Sequence, residues 1–426
     1  MNQYASMIRS LKTPEVMERL LHLYGSRDGM LVEQTARYTS LLKRHEEFFH
    51  AETPVLMVSA PGRTEIGGNH TDHNRGRVLA ASVNLDTLAA VSAREDMVVH
   101  VHSDGYPAMT IDLGSLDRRP EEEGTTAALI RGVAARMAEL DYKIGGFDAV
   151  ITSTVASGSG LSSSAAFEVM TCAILDALYN DFGMDSKVRA KIGQYAENVY
   201  FGKPSGLLDQ SASAVGGLVA MDFAPAIADV EAINYDFGRK GYAVCVVSVG
   251  GEHGNLTDAY ASIPVEMKQV ARCMGAELLE KITPEELEAA LPKLKNKVSD
   301  RAILRAFHYV DETRRAEDAA QALKNDDLNA FFADVIASGE SSWKLLQNLH
   351  VEASDNQEMP LALEMSRRML QGRGAWRIHG GGFAGTILAF VPNDLVEKYS
   401  AAMDAVFGEH ATTVLSIRPE GVVCIK

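Results

Sequence analysis

The segment Ala156-Ser-Gly-Ser-Gly-Leu-Ser-Ser-Ser-Ala-Ala-Phe167 constrains this chain most. Ahead of it, residues 147–154 alternate, with Phe147, Ala149, Ile151 and Ser153 set against Asp148, Val150 and Thr152, which predicts a strand. After it, an apolar run to about residue 178 predicts a buried helix. The unit is therefore strand, Gly/Ser turn, helix. Gly158 and Gly160 let a backbone approach a ligand closely. Ser162, Ser163 and Ser164 can cap the helix and supply hydroxyls. The helix N-terminus adds N–H groups and partial positive charge, which suit phosphate. The same residues would also serve in a turn that only caps a helix. The turn is neither a Walker A loop nor GxGxxG.

Around this unit the elements mix without regular βαβ alternation. Residues 1–50 read as helices. Strands are predicted at 55–59, 78–92 and 97–102, with a helix over 125–140. Helices follow at 186–200 and 207–215, the latter closed by Gly216-Gly217. A buried strand is predicted at 242–249, and amphipathic helices fill most of 264–372. Strands return at 386–391, 413–417 and 422–425. This order argues for an α+β class over a doubly wound sheet. Ala224-Pro225 and the glycines at 238 and 241 punctuate the chain, so two domains are expected, 1–225 and 226–426.

Composition narrows the function. Lys plus Arg is 41 against 57 Asp plus Glu, a net charge of −16, and such a field repels a nucleic-acid backbone. A small anionic ligand stays compatible, because local dipoles or a metal can overcome the global field. No run of about 18 apolar residues predicts a membrane span. The 4 cysteines are far apart without a CxxC pair, which argues against a disulfide framework or a cysteine zinc site. No secretory signal is evident at the N-terminus, and a cytoplasmic location is expected.

Three further segments carry chemistry. Ala60-Pro-Gly-Arg-Thr-Glu-Ile-Gly-Gly-Asn-His-Thr-Asp-His-Asn74 is a polar stretch between two strands. Its Arg63, Asn69, His70 and Asp72 are donors and acceptors of the kind that read sugar hydroxyls or phosphate, although a solvated loop has similar polarity. His70 and His73 have metal spacing but no third ligand placed for it. Glu197-Asn-Val-Tyr-Phe-Gly-Lys-Pro-Ser-Gly-Leu-Leu-Asp-Gln210 sets two carboxylates around a Gly/Pro turn, one able to hold a metal and the other to act as a base. Arg377-Ile-His-Gly-Gly-Gly-Phe-Ala-Gly385 permits a backbone wrap around a ligand, or a bulge. Its HGGG resembles an esterase oxyanion loop, but no GxSxG elbow accompanies it.

Taken in order, these segments resemble the GHMP kinases, a family that holds galactokinase, homoserine kinase, mevalonate kinase and phosphomevalonate kinase. The first family motif matches residues 60–74, GLSSSA matches 160–165, and the glycine-rich third motif matches 379–385. Within the family, residues 61–74 look like the galactokinase pattern GRxNxIGEHTDYN. Residues 205–210 look like its CGxMDQ.

The resemblance implies a two-domain GHMP kinase fold, with an N-terminal domain of the ribosomal S5 domain-2 type and a ferredoxin-like C-terminal domain. ATP and sugar would meet between them. Position by position, it implies Asp209 and Arg63 as the catalytic pair and Ser164 and Glu197 as Mg2+ ligands. Gly158, Ser159, Gly160, Leu161, Ser162, Ser163 and Ser164 would hold ATP. Asn69, His70, Asp72 and Gly206 would contact sugar. Tyr260, seven residues after His253, resembles the sugar-site tyrosine. The implied activity is an ATP-dependent sugar 1-kinase acting on galactose or a close relative. The implied partners are sugar and ATP, with no nucleic acid or membrane, in a monomer or weak homo-oligomer. Asn69 stands where the pattern has a Glu that reaches the sugar C6 hydroxyl, which leaves room for galacturonate, N-acetylgalactosamine or a 6-deoxy sugar. His73 and Leu208 also depart from the pattern. The competing class is a non-catalytic sugar sensor; Ser164, Ala165 and Asp209 argue against it. Mevalonate and homoserine kinases lack the HTD found at residues 70–72.

Overall fold

The structure is a computed structural model and describes residues 2–155, 160–203, 205–225, 228–250, 257–349, 355–383 and 385–425. Helices α1 (Gln3–Ser10), α2 (Pro14–Tyr24) and α3 (Met30–Phe49) open the chain. Then come β1 (Val55–Gly67), β2 (Arg77–Ala93), β3 (Val98–Ser103), β4 (Met109–Asp112), α4 (Thr126–Glu139) and β5 (Phe147–Ser153). Next are α5 (Ser163–Tyr179), α6 (Ser186–Tyr195), α7 (Leu208–Val215), β6 (Leu218–Asp222), β7 (Asp229–Ile233) and β8 (Tyr242–Gly250). The helices α8 (Thr257–Cys273), α9 (Pro284–Leu294), α10 (Asp300–Lys324), α11 (Leu328–Ser341) and α12 (Glu358–Leu370) follow. The chain ends with β9 (Ala375–Ile378), β10 (Gly385–Pro392), α13 (Val396–Phe407), β11 (Thr412–Leu415) and β12 (Val423–Ile425).

The class is α+β. One sheet runs β12-β1-β2-β5-β3-β4, with β6 beside β2 and β7 beside β6; only β3 and β5 are parallel. Both faces of its centre are covered. Leu88 and Ala90 pack with Leu20, Tyr38 and Leu42 of α2 and α3. Ala89 and Val91 pack with Val133, Met170 and Ala190 of α4, α5 and α6. Double-sided burial is why residues 78–92 read as a long apolar run.

The second sheet, β11-β8-β10-β9, is antiparallel throughout. Val244, Val246, Leu388 and Phe390 on one face join Leu79 and Ala81 of β2 and Phe331 of α11 in a shared core. Cys245, Val247, Ile387 and Ala389 face Leu363 of α12 and Met403 of α13. The strands do not divide at residue 225 as the punctuation suggested. β7 pairs with β6 and β12 pairs with β1, so the first sheet takes strands from both sides of that point and covers edges otherwise open.

Of all the strands, β1 departs furthest from expectation. The pattern predicts a strand only to residue 59, with a polar loop after it. The strand instead continues to Gly67, and every residue from Met57 to Gly67 is buried. Its polar residues are thus strand residues whose backbone pairs with β2, with Arg63 opposite Ser82 and Glu65 opposite Ala80. Register shifts fall on either side of them, between Pro61 and Arg63 and between Glu65 and Gly67. Such irregularities re-aim side chains.

Candidate functional site

β1, the start of α5 and the first turn of α7 meet around one ion pair. Arg63 Nε donates to Asp209 Oδ1 at 2.6 Å and Nη2 donates to Oδ2 at 2.9 Å. This is the bidentate geometry that fixes both groups. Arg63 Nη1 donates to the Gly160 carbonyl, and Arg63 N donates to the Leu161 carbonyl at 3.0 Å. The turn is thereby stitched to β1. Gly160 has φ +73°, and a Cβ there would overlap Thr386 Oγ1, so this position requires glycine.

Ser162 sits in the left-handed region, φ 59° and ψ 65°, and its side chain makes no cap for α5. Its Oγ instead donates to Asp209 Oδ2 at 2.6 Å. The expected capping by Ser162 is therefore replaced by a contact with the carboxylate, and among the described residues no side chain caps the first turn of α5. Uncapped N–H groups there can receive an anion. Burial pushes the Asp209 carboxyl up, but Arg63 and the Ser162 hydroxyl outweigh it and hold the group below the ordinary carboxylate range. A third of the Asp209 side chain stays open, at 33% exposure. Gly158 and Ser159 lie outside the described residues.

Two residues further, Ser164 Oγ lies 3.3 Å from Glu197 Oε1. Lys203 Nζ lies 3.1 Å from the same oxygen, on a largely exposed side chain. Gln210 Nε2 bridges Glu197 Oε2 and Glu168 Oε2, each at 2.9 Å. Glu168 is fully buried, and its Oε1 has no hydrogen-bond partner among the described residues. Burial, then the Glu197 charge, raises the Glu168 carboxyl well above its usual range. A hydroxyl and a carboxylate oxygen converging beside a cationic ammonium form a hard-oxygen donor set of the kind Mg2+ takes. Among the described residues, no group of three or more His, Cys, Asp and Glu is placed to hold a metal, His70 and His73 included.

A third cluster opens from the end of β1. His70 Nε2 faces the Gly381 carbonyl at 2.9 Å, and burial pushes the ring down to about 3, so it is neutral. A carbonyl only accepts, so Nε2 carries the proton and Nδ1 is an acceptor. Asp72 Oδ1 accepts from His73 N at 3.0 Å. Asp72 Oδ2 lies where a Cβ on Gly206 would stand, so Gly206 is what lets the carboxylate reach its place. Tyr260 donates from its hydroxyl to the Gly382 carbonyl at 2.6 Å and sets its ring edge-on to Phe383 at 5.2 Å. It braces the glycine-rich loop; His253 lies outside the described residues.

Asn69 is placed differently from its expected role. It is 0% exposed, and protein groups surround its amide. Nδ2 donates to Glu65 Oε1 at 2.8 Å and to the Gly380 carbonyl at 2.7 Å. Oδ1 accepts from Asn348 Nδ2 at 2.8 Å and from Ser342 Oγ at 3.3 Å.

Sequence reading missed the groups that hold the site together. The carbonyls of Gly380, Gly381 and Gly382 each take a side-chain donor, from Asn69, from His70 and Asn348, and from Tyr260. The third motif is thus a clasp on the first. His379 is neutral, driven well below its usual range by burial, then by Arg63 and Arg377; it links Thr64 at 3.0 Å to Thr386 at 3.2 Å. Asn348 and Ser342 had no local signal beyond polarity, whereas Gln210 closes the segment that resembles CGxMDQ. Glu168 did: it follows Ser164 by one helical turn, which puts it on the same face.

The chain matches two family descriptions. Residues 43–93 match the galactokinase galactose-binding signature, and residues 128–217 match the GHMP kinases N terminal domain. The chain is similar to galactokinase of Streptomyces coelicolor, 30% identical over 86% of this chain and 92% of that one. It is also similar to galactokinase of Homo sapiens, 31% identical over 89% of this chain and 95% of that one. Among solved structures, Lactococcus lactis galactokinase complexed with galactose superposes with a TM-score of 0.80 at 24% identity, covering 91% of this chain and 99% of that one. Methanococcus jannaschii mevalonate kinase shares the fold with a TM-score of 0.60 at 14% identity, over 86% and 99% of the two chains.

Proposed function

The chain belongs to the galactokinase family of GHMP kinases, and from that premise we propose that it transfers the γ-phosphoryl group of ATP to the anomeric hydroxyl of galactose. The observation that carries the reading is the Arg63–Asp209 pair lying directly against the uncapped start of α5. Phosphoryl transfer is mostly positioning and charge neutralisation, and this arrangement offers both.

ATP phosphates lie against the first turn of α5, where backbone N–H groups and the hydroxyls of Ser163 and Ser164 receive them. On the sugar side, Asp72 Oδ2 and His70 Nδ1 accept from ring hydroxyls. Asp209 accepts a hydrogen bond from the anomeric hydroxyl and orients its oxygen at phosphorus. The hydroxyl proton passes to Asp209 as the bond to phosphorus forms and the bond to ADP breaks. Arg63 keeps Asp209 ionised until it takes that proton and offsets charge on the transferring group.

Ser164 and Glu197 would hold Mg2+, which would supply charge neutralisation for the phosphates. Lys203 reaches Glu197 Oε1 on a largely exposed side chain, so it does not seal that oxygen from a metal. Glu197→Gln is expected to raise the Mg2+ concentration for half-maximal activity at least about tenfold, a loss on the scale of ligand-shell mutations. An unchanged Mg2+ requirement would remove Glu197 from the metal. All of these side chains come from one chain, so the reading needs no second copy. ATP as substrate and four free cysteines agree with a cytoplasmic location.

An ADP-release assay tests the substrate, run with galactose, galacturonate, N-acetylgalactosamine, glucose, fucose and arabinose. Galactose is expected to give the highest kcat/KM. Binding of galactose and ATP without any turnover would favour the sensor instead.

A further inference from the structure

We propose that Glu65 supplies the carboxylate contact to a sugar hydroxyl that residue 69 cannot make in this chain. The proposal deepens the galactose-kinase reading and rests on it. Asn69 has two N–H donors and two acceptor sites, and all four are engaged by Glu65, Gly380, Asn348 and Ser342. Its orientation is fixed, because a carboxylate and a carbonyl on the Nδ2 side can only accept. Nothing of Asn69 remains to bind a ligand.

Glu65 is half-engaged. Its Oε1 accepts from Asn69 at 2.8 Å and from Arg377 Nη2 at 3.2 Å. Its Oε2 makes no hydrogen bond with any described residue, yet it is not one of the sealed polar atoms of the interior. The side chain keeps 8% exposure. On β1, Glu65 follows Arg63 by two residues, so the two share a face about 7 Å apart. Asn69, which Glu65 holds, immediately precedes His70 and stands three residues before Asp72. Glu65 therefore stands in the chain between Arg63 and the His70–Asp72 segment, sharing a strand face with the first and a hydrogen bond with the residue just before the second.

The pattern GRxNxIGEHTDYN shows the same thing in letters. Position 65 is Asn there and position 69 is Glu; this chain has Glu65 and Asn69, hydrogen-bonded to each other. The carboxylate is retained, moved four residues back onto the strand. Arg377, fully buried in β9, and Asn69 hold its Oε1 and leave Oε2 without a protein donor among the described residues. Such a group selects a hydroxyl, which donates, over a hydrogen, which does not.

The test measures kcat/KM for galactose and for its 2-, 3-, 4- and 6-deoxy forms, in the wild type and in Glu65→Gln and Glu65→Ala. Each penalty is a ratio taken within one preparation, so any loss of folded protein cancels. Glu65→Gln keeps the volume and an acceptor for Asn69, which guards against collapse of the site. In the wild type, removing the hydroxyl held by Glu65 costs about tenfold or more. In the variants that one penalty shrinks towards unity while the other three persist. If all four ratios match the wild type in both variants, Glu65 does not touch the sugar and the proposal falls alone. If the wild type fails to turn over galactose, the functional reading falls first and takes this proposal with it.

Discussion

Asp209→Asn is expected to lower kcat by about 10²–10⁴-fold, while galactose and ATP bind within about tenfold of the wild type. The reason is local. Asp209 takes three donors on two oxygens, two from Arg63 and one from Ser162. An Asn offers one oxygen and sets an NH2 group against a donor. The site is then the right size with the wrong polarity. No carboxylate remains to orient the anomeric hydroxyl or take its proton, and the Arg63 charge loses its partner. The sugar contacts at His70 and Asp72 and the start of α5 are untouched, so binding persists. Rapid-quench turnover alongside calorimetric titration of each ligand separates the two effects. Near wild-type turnover in this variant would show that Asp209 neither positions nor deprotonates the hydroxyl.

The second large effect is on stability and lies far from the chemistry. Asp86 is fully buried and gathers donors from four parts of the chain. Arg37 of α3 and Tyr24 of α2 reach it, the latter at 2.6 Å, as do Ser59 of β1 and Arg418 beyond β11, at 3.4 Å. Arg418 is itself 0% exposed. Asp86→Ala leaves that guanidinium buried without its carboxylate and is expected to destabilise the chain by about 3–5 kcal/mol. Burial alone would raise the Asp86 carboxyl, but Arg37 and Arg418 together hold it below its ordinary value. A folded-state pKa below the unfolded one means that the contribution is complete above about pH 4. It fades as pH falls through the lower folded value. Equilibrium denaturation across pH should therefore show the wild type and Asp86→Ala far apart at pH 7 and converging in acid. A constant gap would mean that the cost is packing, not charge.

What was legible in the sequence was the chemistry that sits in short runs. The strand, turn and helix around residues 147–178 and the polar stretch from Arg63 to Asp72 announce themselves locally, while Glu197 and Asp209, weak signals alone, stand out only through the family resemblance. The structure brings Arg63 and Asp209 into contact across 146 positions of sequence. The extent of β1 was not legible, because its polar residues obey strand geometry only once β2 and the glycine-rich loop cover them. Nor was the state of Asn69. Its partners Ser342 and Asn348 lie 273 and 279 positions away, in a helical stretch with no motif. Polar residue identity predicted a ligand contact; only the count of partners showed the amide already satisfied. The short strands β4, β6, β7 and β9 were missed because four or five residues give too little periodicity to separate from loop.

The most direct test of the central claim is phosphorus NMR of the product formed from ATP, Mg2+ and galactose. The account predicts a sugar phosphate whose phosphorus couples to the anomeric proton, formed in equal amount to ADP. ADP without sugar phosphate, or phosphate on any other hydroxyl, would contradict it.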